Sequence, residues 1–204
     1  MATNARERIL EAACELIATD GIDDVRIARV AMRAGASTAL VHHYFSTREE
    51  LLEEALVHSF EQAGDERFAT EPEAESATER LARAIGECLP LPGPQEREWV
   101  LWVELWLRAV RDPSLRPVAA RLYERYRTWL EGLIRDGVES GEFDAAADVT
   151  RAADRAMAVL DGAGVRALFG DPAMGFEHAY DIAAETIAAE LGIDATRLRA
   201  RPPA

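Results

Sequence analysis

Apolar residues recur along most of the chain at the spacing of an amphipathic helix. In the first segment they fall at i, i+3, i+4, i+7 and i+8, which makes one stripe. The residues of this stripe are Ile9, Ala12, Ala13, Leu16 and Ile17. Similar stripes follow to about residue 191, and no segment alternates apolar and polar residues as a strand does. The pattern predicts an all-α protein of about nine helices.

Capping and breaking residues indicate where the helices begin and end. Gly21 follows the first stripe and is expected to end that helix. Ser46 with Glu49, and Ser76 with Glu79, have the spacing of a capping box. Each pair therefore predicts the start of a further helix.

Residues 26–45 predict two short helices joined by a tight turn. The first begins near Arg26 and ends at the sequence AGAS, where Gly35 permits the turn. Ser37 is placed to cap the second helix, which ends near Phe45. This arrangement is a helix-turn-helix, whose second helix can lie in the major groove of DNA.

The second of these helices has an inner face and an outer face. The spacing i, i+3, i+4 predicts that Val41, Tyr44 and Phe45 face inward. The outward residues are then Thr38, Ala39, His42 and His43. Hydroxyl and imidazole groups can hydrogen-bond bases or phosphates, and an alanine allows close approach to a base edge.

Charge separates this segment from the rest of the chain. The 204 residues carry a formal net charge of -14, yet residues 26–48 contain four arginines and no Asp or Glu. Phosphate contacts favour such an acid-free surface, and helix N-termini offer N–H groups to phosphates. The candidate DNA-binding residues are Arg26, Ser37, Thr38, Ala39, His42, His43, Tyr44 and Arg48. An ordinary helical hairpin with a solvated polar face is the alternative.

The N-terminal segment resembles the TetR family of bacterial repressors. The resemblance rests on IARVAMRAGASTALVHHYFSTREELL, and the positions that match the family motif are Val30, Ala31, Ala34, Gly35, Ser37, Tyr44, Phe45 and Leu51. Three positions depart from it: Arg26 replaces the usual threonine, His42 the usual aromatic residue and Arg48 the usual lysine. These departures leave the operator sequence open.

The rest of the chain resembles the subgroup of that family typified by the betaine-pathway regulator. The likeness implies a DNA-binding domain at 1–46, a helical effector-binding and dimerisation domain at 47–192, and a tail at 193–204, which we expect to be frayed. It also implies a homodimer formed through the last two long helices. A second small or apolar face on the last helix is compatible with this and comprises Ile182, Thr186 and Ala189.

An effector site is the second candidate for chemistry. The segment 96–110, EREWVLWVELWLRAV, is apolar nearly all round and predicts a buried helix. Within its apolar part, WVLWVELWLRAV, the single carboxylate is Glu104. A buried acid needs a partner, which is either an internal arginine (Arg108 or Arg166) or a cationic ligand facing an aromatic wall. The candidate effector-binding residues are Phe60, Trp102, Glu104, Trp106, Tyr123 and Tyr126. Aromatic residues at helical spacing also fit an ordinary core.

Other classes of function find little support. GAGVRA at 162–167 has the spacing of a dinucleotide fingerprint but lies within a helical pattern, so we expect its glycines to allow close packing at a dimer seam. The adjacent pair His42–His43 lacks the spacing of a metal site, and no nucleophile–base arrangement is evident. The sequence therefore predicts a cytoplasmic, non-enzymatic regulator without cofactor, metal or membrane span, which binds operator DNA and an unknown small-molecule effector. A helical dimer that senses or sequesters a small molecule without gene control is the alternative.

Overall fold

The computed structural model describes residues 4–69, 75–144 and 146–199 of the chain. All regular elements in these ranges are helical, which confirms the all-α prediction. Short 3-10 turns at Ile22–Asp24 and Pro113–Leu115 connect some of the helices. The ten α-helices of the described ranges are α1 (Ala5–Asp20), α2 (Ile27–Arg33), α3 (Thr38–Tyr44), α4 (Arg48–Ala69), α5 (Ala77–Glu87), α6 (Pro94–Arg111), α7 (Arg116–Glu139), α8 (Val149–Leu168), α9 (Phe176–Leu191) and α10 (Thr196–Arg199).

A helix must be both long and apolar to cross a bilayer. Within the described ranges, no helix combines enough length with enough apolar character to cross a membrane.

Helix α4 begins one residue later than its capping pattern predicts. The Oγ1 atom of Thr47 accepts a hydrogen bond from the Glu50 amide at 3.0 Å, so Thr47 caps the helix. The Glu50 carboxylate in turn accepts from the Ser46 amide at 2.7 Å. The expected Ser46–Glu49 box is therefore wrong by one residue, because Thr47 and Glu50 have the same chemistry and spacing. The Ser76–Glu79 box at the start of α5 is confirmed.

The chain forms two compact units. Unit 1 comprises Met1–Ala63 and Val100–Ala119, and unit 2 comprises Gly64–Trp99 and Ala120–Ala204. This grouping of backbone contacts assigns parts of α4, α6 and α7 to each unit. It is a different division from the DNA-binding and effector-binding domains at 1–46 and 47–192, whose boundary remains a prediction.

The core of unit 2 is built mainly from α5, α8 and α9. Tyr180 of α9 is buried and its hydroxyl lies 3.0 Å from the carbonyl of Ala82 and 2.6 Å from that of Leu198. Leu198 of α10 is fully buried. The tail at 193–204 is thus not frayed throughout: residues 196–199 form a helix that packs on α5 and α9. Its last residues, 200–204, lie outside the described part.

Helix α6 is buried along one side and exposed along the other. Trp99 and Leu105 are buried, whereas Leu107 and Val110 are 44% and 72% exposed. The prediction of a helix buried nearly all round is therefore wrong for its C-terminal half. An apolar sequence cannot by itself show which face of a helix receives a covering element.

Candidate nucleic-acid interface and ligand site

The turn between α2 and α3 has the geometry of a helix-turn-helix. Gly35 adopts a φ of 62°, in the left-handed region that a side chain disfavours. Ser37 follows, and its Oγ atom accepts a hydrogen bond from the Leu40 amide at 3.1 Å. The predicted roles of the turn glycine and the capping serine are confirmed.

Helix α3 divides into a buried face and an exposed face. Val41 and Phe45 are fully buried against the rest of unit 1. The four residues expected to point outward are all exposed: Thr38, Ala39, His42 and His43. Tyr44 was expected to face inward, but it is 37% exposed and its ring packs edge-on against His43, with centroids 5.3 Å apart. The exposed position of Tyr44 therefore fits the prediction that it binds DNA better than the prediction that it lies in the core.

Two of the arginines near this face are engaged by carboxylates of α1. Arg29 lies 2.7 Å from Asp20, and Arg33 lies 2.6 Å from Glu15. These pairs join α2 to α1 across the surface of unit 1. Carboxylates of the neighbouring helix α1 therefore lie beside the acid-free segment. They reduce the net positive charge of this surface.

Arg48 is turned towards the backbone of the same unit. Its guanidinium donates to the carbonyl oxygens of Val25, Ile22 and Asp23 at 2.7, 2.5 and 3.1 Å. The side chain is only 24% exposed. The phosphate contact of Arg48 stays a prediction. Here the residue ties the start of α4 to the turn before α2.

Arg26 is exposed and occupies the N-cap of α2. Its guanidinium donates to the Asp23 carbonyl at 2.6 Å, and no side chain caps this helix. Among the described residues, no carboxylate forms an ion pair with Arg26 in the way that Asp20 and Glu15 do with its neighbours. The guanidinium therefore keeps its charge uncompensated at the edge of the α2–α3 surface.

The candidate effector residues of unit 1 separate into two groups. Phe60 and Trp102 stack with ring centroids 4.0 Å apart, and Trp106 lies 6.0 Å from Trp102. Glu104 lies two positions from each tryptophan, and two residues of an α-helix are about 200° apart. The carboxylate and these rings therefore occupy opposite sides of α6.

Glu104 lines a separate cavity of about 480 Å³ within unit 1. The other lining residues include Asp20, Ile22 and Asp23 from the turn after α1, and Leu107, Arg108 and Arg111 from α6. Burial raises the pKa of the Glu104 carboxyl, and the charge of Arg108 opposes that rise. The other proposed partner, Arg166, lies 2.7 Å from Asp171 in unit 2. Of the two internal partners that the sequence left open, the structure favours Arg108.

The two candidate effector residues of unit 2 lie on α7. Tyr126 is buried and packs edge-on against Trp129, with centroids 6.3 Å apart. The hydroxyl of Tyr123 donates to the carboxylate of Asp161 on α8, with an O···O distance of 2.9 Å. Sequence reasoning missed Asp161.

Asp161 is a largely buried carboxylate beside an aromatic surface. Burial raises its pKa to about 6, and the hydrogen bond from Tyr123 opposes that rise. One turn along α8, Gly164 lies directly under Trp99, whose ring occupies the space that a Cβ would fill. This glycine of GAGVRA therefore packs closely within its own chain, whereas the dimer seam predicted for it is untested. The sequence signal that could have indicated Asp161 was an acid directly after Leu160, at the edge of the apolar face of α8.

Comparison with known proteins agrees with these features. A model of bacterial regulatory proteins of the tetR family matches residues 9–55, and a model of the C-terminal part of BetI-type transcriptional repressors matches residues 77–192. The HTH-type transcriptional regulator BetI of Brucella canis is 26% identical over 186 residues, which cover 91% of each chain.

Solved structures show the same fold. A transcriptional regulator from Saccharomonospora viridis in complex with choline is 33% identical, with a TM-score of 0.79 over 90% of this chain and 95% of that chain. A TetR-family regulator from Rhodococcus is 28% identical, with a TM-score of 0.76 over 92% and 98% of the two chains. These relatives are regulators of transcription, not enzymes. The chain belongs to the TetR family of transcriptional regulators and carries a BetI-type C-terminal domain.

Proposed function

We propose that this regulator is a cytoplasmic homodimeric repressor that binds a pseudo-palindromic operator and is released by a small molecule. The observation that carries the proposal is the exposed face of α3, where Thr38, Ala39, His42 and His43 surround a buried anchor of Val41 and Phe45. Small and hydrogen-bonding side chains on an exposed helix suit direct contact with base edges. The two copies of α3 would enter successive major grooves.

The remaining contacts would position the protein on the DNA backbone. Arg26 supplies a guanidinium at the edge of the α2–α3 surface, and Tyr44 supplies an exposed hydroxyl. Ser37 uses its side chain to cap α3, so its contribution would come through the helix N-terminus. Arg48 would act indirectly, by holding the turn at residues 22–25 through its carbonyl contacts.

Dimerisation is proposed through α8 and α9, the last two long helices. These two helices pack against each other within the chain. On α9, Ala189 is exposed and Ile182 and Thr186 are half-buried, so small or apolar side chains remain available to a second subunit. A dimer would also supply the two recognition helices that a pseudo-palindrome requires.

Release by an effector requires different affinities of that ligand for two conformations of the protein. Helix α4 is the proposed link, since it begins at Arg48, directly after the helix-turn-helix. Its residues Leu51, Leu52 and Leu56 are fully buried. A change in the tilt of this helix would move the recognition helices and alter their spacing. The choline complex of the Saccharomonospora viridis protein makes choline the first effector to test.

The test is binding of the purified protein to DNA from upstream of its own gene. The titration uses two salt concentrations and a scrambled DNA of the same length, and size-exclusion chromatography with light scattering gives the oligomeric state. We expect tight, salt-sensitive, sequence-specific binding by a dimer, and weaker binding when choline is added.

If the protein binds the upstream fragment and the scrambled DNA with equal affinity, the next experiment is a selection of binding sequences from random oligonucleotides. A selection that enriches no sequence contradicts the proposal and favours the sensing or sequestering dimer.

A further inference from the structure

We propose that Asp161 is the counter-ion for a small monovalent organic cation, held in unit 2 beside Tyr123 and Trp99. The inference deepens the proposed function and rests on it, because it assigns the effector site and its charge. The carboxylate that faces the cation is then Asp161 of α8 and not Glu104 of α6.

The charge of Asp161 is not compensated by the described residues. Its one hydrogen-bond partner among the described residues is the Tyr123 hydroxyl, a neutral group. No arginine or histidine of the described chain lies within 4.0 Å of it, and no neighbouring charge contributes to its pKa. A buried carboxylate without a positive partner is costly, so such a residue is rare unless a ligand supplies the charge.

Other partly buried carboxylates of this protein do have such partners. Glu190 of α9 is 13% exposed and pairs with both Arg151 and Arg155. Glu131 of α7 is 18% exposed and lies between Arg127 and Arg135, at 3.7 and 3.8 Å. This chain therefore commonly compensates such acids with arginine. Asp161 departs from that rule.

The surface around the carboxylate is aromatic and apolar. Tyr123 brings its ring to Asp161 through the hydroxyl contact of 2.9 Å. Trp99 is buried and packs on Gly164, which lies three residues after Asp161 and so on the same side of α8. Leu160 and Ala163 of the same helix are buried. Aromatic faces attract cations that carry apolar groups, such as alkylammonium ions.

A single carboxylate limits the charge of the ligand. One negative group compensates one positive charge, and the apolar neighbours favour an ion whose charge is spread over alkyl groups. A divalent metal ion would need several oxygen ligands, and the described residues contain no cluster of three or more metal-binding side chains. An alkylammonium ion satisfies both the charge and the surface.

The test measures binding of tetraalkylammonium ions to the full chain by isothermal titration calorimetry at pH 7.5. The ions are tetramethylammonium and tetraethylammonium, and neopentyl alcohol serves as an uncharged probe of similar shape. Asp161→Asn keeps the shape and removes the charge, and Glu104→Gln is the matched control on α6. We expect at least one ion to bind the native protein and the Glu104→Gln variant within about 2-fold, and Asp161→Asn at least about 30-fold more weakly.

A second variant and a pH series separate a binding role from a structural one. Tyr123→Phe removes the hydrogen bond but keeps the ring, so we expect it to retain cation binding. Affinity should fall as the pH drops below about 6, because a proton then competes for Asp161, and Tyr123 is the titratable group that contacts it. The thermal midpoint of Asp161→Asn shows whether that variant is folded.

Each outcome bears on a different claim. Equal binding by Asp161→Asn and the native protein, or binding of the alcohol as tightly as the ions, overturns the assignment. So does the absence of ion binding to the native protein. Specific DNA binding in that last case leaves the regulator intact without the cation site. Ion binding that requires Asp161, in a protein that binds no operator, supports the site and contradicts the proposed function.

Discussion

The arginines around the helix-turn-helix differ from the carboxylate of Asp161 in how their charge is compensated. Arg29, Arg33 and Arg48 carry full charges near a surface that must meet phosphates, yet each has an acceptor within its own unit. Asp161 is largely buried, where an unpaired charge is most costly, and it has only a neutral hydroxyl as partner.

The difference separates residues that hold the fold from residues that await a partner. Paired arginines fix α2 and α4 to α1 and its turn, and so present α3 at a defined angle. An acid left without a counter-charge contributes nothing comparable to stability. Charge that the fold does not compensate is therefore the better guide to a ligand.

The largest expected effect comes from placing an acid on the exposed face of α3. Thr38→Asp should lower operator affinity about 100-fold, because a carboxylate in the groove faces the DNA backbone charge and loses the hydroxyl contact. Electrophoretic mobility shift or fluorescence anisotropy measures the change.

Thr128→Asp on α7 is the matched control, since it adds the same charge at another exposed threonine, outside α3 and outside the proposed dimerisation helices. Equal loss of affinity in the two variants would mean that net charge, and not α3, governs DNA binding.

The next effect concerns the close packing beside Asp161. Gly164→Ala should lower the free energy of unfolding by about 2 to 3 kcal/mol, because the new Cβ overlaps the ring of Trp99. Urea denaturation followed by tryptophan fluorescence measures it. Gly162→Ala in the same helix is the control, since its Cβ meets nothing within 4 Å. There we expect a gain of up to about 1 kcal/mol from helix propensity.

Arg48 and Arg26 sharpen the contrast between paired and unpaired charge. Arg48→Ala should lower the free energy of unfolding by about 1 to 2 kcal/mol, because the hydrogen bonds to three carbonyls are lost. Arg26→Ala should instead reduce the slope of log affinity against log salt by about one, with little change in stability. If Arg48→Ala instead reduced the salt slope and left the stability unchanged, Arg48 would contact a phosphate, as the sequence predicts.

The smallest expected effect is a gain of stability on removal of the Asp161 charge. The pKa of this carboxyl is about 6 in the folded protein and 3.8 in its ordinary state, so the folded state binds more protons between those values. The free energy of unfolding of the native protein therefore falls as the pH rises from about 4 to about 6. Asp161→Asn escapes this loss. We expect it to be more stable than the native protein by roughly 1 kcal/mol at pH 7, after allowance for partial exposure, and equal to it near pH 4.

Thermal unfolding of both proteins at the two pH values tests this expectation. A variant less stable than the native protein at pH 7 would show that the carboxylate is compensated by a group of its own chain.

Local features of the fold were predictable because they depend on residues close in sequence. The helical stripe of α1, the turn at Gly35 and the cap at Ser37 each involve positions no more than a few residues apart. The exposed face of α3 followed from periodicity alone. Tyr44 was misplaced because it lies at the boundary of two faces, where periodicity distinguishes them poorly.

The ligand site was less predictable because its parts are remote in sequence. Tyr123 was among the candidates, but its partner Asp161 lies 38 positions away on another helix. Glu104 attracted attention as a single acid in an apolar segment. The structure places it beside Arg108 in a cavity whose lining residues include none of the candidate aromatic residues.

The sequence by itself determined the helices, most of their caps, the helix-turn-helix and the family, since each follows from local periodicity or a contiguous motif. Only the tertiary structure decided which arginines have partners within the chain, which side of α6 is covered and which carboxylate lacks a counter-charge. The physical reason is that the cost or benefit of a charge depends on its neighbours in space and on its distance from water. Both are set by how remote helices pack.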